Sequence, residues 1–461
     1  MRWPGLLVVL CSCAPPLEDG RQAAVVQAIA RADEVLIRAR PTLAAGKYQR
    51  MAGDPYSFFR GSLALFRADW EAGRASRSGF LSQTQPVLGL GDPHPENVGL
   101  LVDRQQQLAL EFNDFDSADR VPYLFDVRRL LAGLALGARL KVPAADASGI
   151  ARAGAAAYVT ELRALADGAE PRRLVDDQGA LIVQDLFRRG RRDLAARAEL
   201  ENLSTTVDAE GAAVPRRLLR GVLDPAEPTA VLSDVAPALV PSLDAVVAPL
   251  GRRVLDRVRQ FGSGVASWPR VRYLLLLEGD APGAELVVEV KELAESPLAG
   301  WYRPTFVAAD TPGRVEGACR RVWAIPDADP RWFTTTWRGL PVQVRTESEA
   351  QKGVRVSRWV DSRGTEAELT KLAQVLGALL ARAHSRSEAA TVRSVVAQLA
   401  RDPEAFADEQ AAFADAEAQG VLLDFERFGR ALTALGPTLG VVTPPPDAPS
   451  AVLADLFGVA P

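Results

Sequence analysis

The sequence predicts a large α+β chain, of two or three domains or one two-lobed one, and three observations predict it. Its 461 residues exceed what a single core of roughly 150 residues accommodates. Two hairpin signals, at 98–112 and 271–291, are set in a chain otherwise marked by helical periodicity. Between them lies an Arg-rich stretch, 171–255, broken by Pro and Gly and read as a helical insert. With 48% hydrophobic and 24% charged residues, the composition is that of a globular protein and not of a disordered one.

The elements follow in order. Residues 1–19 start with Arg2, run through apolar Leu6–Leu10 and reach Leu10-Cys11-Ser12-Cys13, similar to a bacterial lipoprotein cleavage box. The readings are a signal leading to a lipidated Cys13 that anchors the chain to a membrane, or, on a cytoplasmic protein, a misassigned start codon or a frayed apolar start. Residues 20–39 read as one amphipathic helix stopped by Pro41, and 56–70 as a helix with Arg60 near its start. The apolar run Val87–Gly91 enters a polar loop, Asp92 to Asn97. Strands at 98–102 and 108–112 come next; Leu108, Leu110 and Phe112 alternate with Ala109 and Glu111, as on a half-buried strand. Helices are predicted at 123–141 and 146–168, an exposed loop at 203–214, and strands at 271–278 and 285–291. Helical patterns return at 312–324, 366–384 and 402–434, and Pro444–Pro446 opens a stiff tail.

Composition excludes several function classes. Lys+Arg at 54 against Asp+Glu at 58 leaves a net charge of -4, without the basic footprint of a nucleic-acid binder. Three Cys and two His rule out a disulfide framework and a zinc site of four Cys/His ligands. Any metal is therefore held by oxygen, which points to magnesium, manganese or calcium. The glycine-rich phosphate loop, the zinc-protease helix and the dinucleotide fingerprint are all missing from the sequence.

One constellation carries chemistry. Asp92 is followed five positions later by Asn97, and the hairpin then delivers Asn113-Asp114-Phe115-Asp116. Phosphoryl transfer needs a carboxylate to orient the attacking hydroxyl and oxygen ligands for the magnesium that bridges the phosphates; kinase catalytic loops supply an Asp and an Asn at this spacing. A strand Lys held by a helix Glu completes such a site. Lys291 ends an apolar strand, on the face opposite Leu286, Val288 and Val290. Glu316 lies 25 residues on, in a helix opened by Thr311-Pro312. Taken singly, Lys291 reads as a snorkelling lysine and Glu316 as the i+4 partner of Arg320; the Asp92–Asp114 pattern favours pairing the two. In ordinary kinases, however, the lysine precedes the catalytic loop, so either the likeness to a kinase site is false or the domain is circularly permuted.

The chain resembles the bacterial proteins grouped as domain of unknown function 2252, which look like permuted relatives of the aminoglycoside and choline kinases. The resemblance covers roughly 45–430 and rests on Phe58-Phe59-Arg60-Gly61, Gly91-Asp92-Pro93-His94-Pro95-Glu96-Asn97-Val98-Gly99, Asn113-Asp114-Phe115-Asp116, Phe125-Asp126-Val127-Arg128-Arg129-Leu130, Val290-Lys291-Glu292, Arg314-Val315-Glu316-Gly317 and Leu380–Arg386. It implies a two-lobed, circularly permuted kinase-like fold. Residues 20–170 then hold the catalytic loop, 256–350 the nucleotide-lobe strands, and 351–435 the helices that complete the other lobe. By this likeness Asp92 is the catalytic base, Asn97 and Asp114 are magnesium ligands, and Lys291 with Glu316 grips the phosphates of ATP. Asp126 buttresses the loop, His384 packs, and Val342–Arg345 is a hinge strand receiving adenine through its backbone. Gly262 and Gly264 stand in the phosphate-covering turn, where this chain lacks the family's third glycine and has Trp268-Pro269 instead.

Further residues complete the expectations. Arg60 and Arg128 are read as buried partners of acidic loop residues, His94 as holding its loop by a hydrogen bond, and Asp116 as structural support. The arginine clusters at 172–173, 188–192 and 216–217 read either as an anion site or as solvated faces answering nearby acids, the second being favoured. The implied function is magnesium-dependent phosphoryl transfer from ATP to a small molecule or protein. Two rivals are AMP transfer on the same scaffold and a catalytically silent binding lipoprotein.

Overall fold

The computed structural model describes residues 20–441, apart from 82–83, 175–178, 225–226, 263, 282, 304–309, 324–330, 348–349, 351 and 361–363. The lipoprotein-like start with Cys13 and the proline-rich tail lie outside the described residues.

The chain opens with a helical layer: α1 (Gly20–Ala32), α2 (Glu34–Ala39), α3 (Pro41–Met51), α4 (Pro55–Gly61) and α5 (Leu63–Glu71). The patterns at 20–39 and 56–70 each predict one helix, and each is two. Asp33 separates the first pair, its carboxylate drawn to Lys47 Nζ at 2.6 Å and Tyr48 Oη at 3.1 Å. α2 ends at Ala39, ahead of Pro41 as predicted, and Pro41 also starts α3, where its missing N–H costs nothing.

β1 (Val87–Gly89) enters the polar loop, and β2 (Val98–Val102) and β3 (Leu108–Phe112) form the predicted hairpin with Val98 opposite Phe112. Its turn is set by Asp103, whose Oδ1 accepts from Gln105 N at 2.9 Å and Gln107 N at 2.8 Å. β3 is buried on both faces, because Arg382 lies over Glu111 as its ion-pair partner. β4 (Asp119–Val121) returns to pair with β1. α6 (Tyr123–Lys141), buried from Tyr123 through Ala138, and α7 (Ala147–Ala166) follow.

The stretch 171–255 is not a helical insert. After α8 (Leu181–Ala196) and α9 (Ala198–Leu203) come four strands, β5 (Ser204–Val207), β6 (Ala213–Leu218), β7 (Gly221–Asp224) and β8 (Glu227–Asp234), then α10 (Val240–Val247). The exposed loop predicted at 203–214 is largely the β5–β6 hairpin. Pro215 followed by Arg216 and Arg217 in β6, and Pro228 in β8, hide the alternation of those strands. Arg173, Arg188, Arg189, Arg192 and Arg216 each sit on an acidic neighbour, so these clusters are answered locally.

The main sheet is built next: β9 (Val254–Phe261), β10 (Arg272–Leu277), β11 (Leu286–Glu292), α11 (Thr311–Val322), β12 (Phe333–Trp337) and β13 (Leu340–Thr346). With β7 and β8 it has seven antiparallel strands in the order β12-β13-β11-β10-β9-β8-β7. Val288, Val290, Val342 and Val344 bury one face under Leu243 and Val247 of α10. Leu274, Leu276 and Val287 bury the other under Leu200 and Leu203 of α9. The fold is therefore mixed α+β.

α12 (Glu366–Ser385), α13 (Ala389–Leu399) and α14 (Pro403–Leu435) complete the helical part. α12 crosses α7 where Gly377 meets Gly154; a Cβ on Gly377 would stand 2.2 Å from the Gly154 carbonyl oxygen. Just past α12, Ser387 Oγ accepts from Leu88 N at 2.8 Å, tying the end of that helix to β1. Among the described residues no helix is long and apolar enough to cross a membrane.

One acid on α14 sets a pH dependence. Burial, then the nearby Asp69 carboxylate, push Glu417 up to about 7 from its ordinary 4.5, against Arg129 and Arg21. The folded chain thus holds a proton that the unfolded chain has released, and this contribution to stability falls as pH rises from 4.5 through 7. Glu417→Gln is expected to melt a few degrees above wild type near pH ~8 and close to it near pH ~5, by calorimetry.

Candidate active site

The sequence places Asp92 in a loop that the fold grips from three sides. Asp126, on the first turn of α6 and fully buried, accepts from Leu90 N at 2.6 Å and Gly91 N at 2.9 Å. His384 Nε2 lies 3.2 Å from the same carboxylate, and its Nδ1 is 2.9 Å from Tyr158 Oη. Gly91 has φ +78° and its Cβ position is 2.4 Å from Ser117 O, so only glycine fits this turn. Asp126 thus holds the loop backbone, and His384, expected only to pack, is hydrogen-bonded to Asp126 and Tyr158.

Asp92 Oδ1 accepts from Arg129 Nε at 2.7 Å, and the Arg129 guanidinium lies 3.7 Å from the centre of the Phe59 ring. Burial raises the proton affinity of Asp92, Arg129 opposes this, and the Asp114 charge adds to it. Asn97 Nδ2 donates to the Asp92 carbonyl at 2.8 Å, which assigns Asn97 Oδ1 as the other side-chain atom, an acceptor, on the cavity that Asp114 also lines. Asn113 N donates to Asn97 O at 3.1 Å, so the loop and the strand end carrying Asp114 are held in register. Asp92, Asn97, Asp114 and Asp116 all line one cavity of about 540 Å³, with Arg60 and His94 on its wall.

Several expectations need correction. Lys291 does not meet Glu316: its Nζ lies 3.4 Å from Asp116 Oδ2. Glu316 instead takes Arg320 Nε at 2.8 Å and Thr334 Oγ1 at 2.9 Å. The reason is helical phase. Arg314 is the cleft-facing residue of α11, donating to Asp116 O at 2.9 Å, and Glu316 lies about 200° further round. Asp116 is thus the lysine's partner; burial raises its proton affinity against the pull of Lys291.

His94 does not hold the loop through its ring. Its Nε2 is 3.8 Å from Asp92 Oδ2, and its buried Nδ1 has no hydrogen-bond partner among the described residues. The backbone does the holding, His94 N donating to Asp92 O at 2.8 Å. Burial, with Arg60 and Arg129 close by, lowers the His94 proton affinity well below 6.5 and keeps the ring neutral.

Arg60 does pair with a loop acid, Glu96, at 2.8 Å. Arg128 does not: it runs to Glu409 and Gln410 on α14, each at 2.9 Å. Arg129 takes the role expected of Arg128. Its signal was present in the sequence, since Asp126 and Arg129 are i, i+3 on one helix face. Val342 and Val344 have strands on either side, so a ligand can meet the β13 backbone only from Arg345 onward. Gly262 and Gly264 both have positive φ, at 74° and 80°. Gly262 O accepts from Arg50 Nη2 at 3.2 Å, and Val265, Ala266 and Ser267 line the main cavity.

A family model described as "Uncharacterized protein conserved in bacteria (DUF2252)" matches residues 38–431. The chain is a DUF2252 protein. Searches among curated proteins and among solved structures gave no match. The DUF2252 match runs from the end of α2 almost to the end of α14 and takes in every residue of the cavity wall discussed above.

The donor set suits a hard cation. Among the described residues no group of three or more His, Cys, Asp or Glu is gathered as a metal site. Asn97 and Asp114 could supply two oxygen ligands, a number that suits magnesium when phosphate oxygens and water fill its remaining positions.

Proposed function

We propose that this DUF2252 protein is a magnesium-dependent phosphotransferase with a permuted kinase-like arrangement. It moves the terminal phosphoryl group of a nucleoside triphosphate, ATP in the sequence reading, to a hydroxyl acceptor. The observation that carries the reading is the convergence of Asp92, Asn97 and Asp114 on one cavity. The sheet supports it. β9 to β13 lie in the order β9-β10-β11-β13-β12, a meander followed by a helix and a crossed pair, with Lys291 on its third strand. The contact between Ser387 and Leu88 supports the permutation, because it sets the end of α12 beside the strand that enters the catalytic loop.

In this mechanism the acceptor oxygen forms a bond to the γ-phosphorus as the bond to the bridging oxygen breaks and nucleoside diphosphate leaves. Asp92 orients the hydroxyl and takes its proton, and its burial favours the protonated product. Arg129, stacked on Phe59, fixes the carboxylate. Asn97 and Asp114 would hold magnesium, which neutralises charge on the phosphates. Lys291 moves from Asp116 to a phosphate oxygen, exchanging one anion for another. A silent binding protein is the second reading, favoured by the separation of Lys291 from Glu316.

The test is thermal unfolding of the full chain with millimolar nucleoside triphosphate, with and without magnesium. Ligand at ~100 times its dissociation constant adds about 2.7 kcal/mol. A magnesium-dependent rise that Asp114→Ala loses supports the site. No rise with ATP or GTP overturns it. A rise without transfer to any hydroxyl, or with an AMP adduct by mass spectrometry, favours the corresponding rival.

A further inference from the structure

A second cavity, of about 280 Å³, lies behind the residues that would hold magnesium. Glu96 and Asn113 line it, whereas their chain neighbours Asn97 and Asp114 line the larger one. Its roof is Arg272 of β10 and Arg345 of β13, with Glu347 just past that strand, and α9 closes its outer side through Glu199 and Leu203. On the phosphotransferase reading, on which this inference rests, a nucleotide with its phosphates at Asn97 and Asp114 puts its base here.

The lining is unlike the aliphatic slot that suits adenine. Glu289, two residues before Lys291 on the same strand face, is fully buried. It is paired with Arg272 at 2.9 Å and Arg345 at 2.6 Å. Arg345 Nη2 also lies 3.4 Å from Glu347 Oε1. Burial and the Glu289 charge push Glu347 up to about 7, so that carboxyl gains from any donor brought against it.

We infer that this cavity selects guanine over adenine. Guanine offers N1–H and the N2 amine as adjacent donors, and O6 and N7 as adjacent acceptors. The Glu347 carboxylate matches the donor pair and a guanidinium of the roof matches the acceptor pair. Adenine would set its N1 lone pair against the carboxylate and offer these half-buried groups, already paired with their neighbours, no matching edge in return, which is how hydrogen-bonding sites reject analogues.

Isothermal titration of the full chain with the magnesium complexes of GTP, ATP and ITP tests this. GTP is expected to bind at least ~10-fold tighter than ATP, with ITP, which lacks the N2 amine, in between. Glu347→Gln should erase the advantage of GTP over ITP while the ATP affinity holds. ATP binding as tightly as GTP overturns the inference and leaves the donor site standing. Binding of none of the three overturns the nucleotide reading itself. GTP and ITP binding equally overturns the part assigned to Glu347, and needs no mutant to show it.

Discussion

Asp126→Ala is expected to destabilise the folded chain by about 3–5 kcal/mol, the usual cost of removing one partner from a buried charged network. Three groups lose their acceptor at once: Leu90 N, Gly91 N and His384 Nε2. All of this lies out of reach of water, since Asp126 is fully buried and His384 nearly so. Calorimetric unfolding measures the loss. Asp126→Asn, which keeps one acceptor oxygen, should fall between the variant and wild type. A change under about 1 kcal/mol for Asp126→Ala would mean that the loop is held by its own turn and not by α6.

The largest effect on activity is expected at Asp92. On the proposed mechanism Asp92→Asn keeps the shape of the side chain and an oxygen for Arg129, but removes the proton acceptor. Phosphoryl transfer should fall by about 10²–10⁴-fold in kcat, with nucleotide affinity nearly unchanged because Asn97 and Asp114 remain. The measurement is nucleotide turnover beside nucleotide binding in the same preparation. Loss of both together would place Asp92 in the nucleotide site and not at the acceptor.

Most of the site was legible in the chain, and the parts that were not share a cause. Strong local periodicity located the β2–β3 hairpin, α6, β10, β11 and α12 within a residue or two, because each buries a regular stripe. The Asp92–Asn97–Asp114 set was legible for the same reason: one hairpin fixes its spacing. The Lys291–Glu316 pair failed where the answer depended on helical phase against a neighbour, with Arg314 and not Glu316 turned to the cleft. β6 and β8 were missed because proline, joined in β6 by arginines, masks the period of two, and β5 and β7 because four residues are too few to show it. The 280 Å³ cavity was invisible in sequence, since its charged lining is assembled from five separate segments.

The contacts that secure the Asp92 loop and its surroundings also dictate how the chain must be made. Leu88 to Ser387 spans 299 residues, Arg128 to Gln410 spans 282, Glu111 to Arg382 spans 271 and Asp126 to His384 spans 258. During synthesis the apolar α6 leaves the ribosome long before α12 and α14 exist to cover it. High contact order slows folding and leaves such surfaces open to aggregation. Translation past α14 is thus the step that commits the first half of the protein to its native state, and a chain released early should be a client of chaperones and proteases.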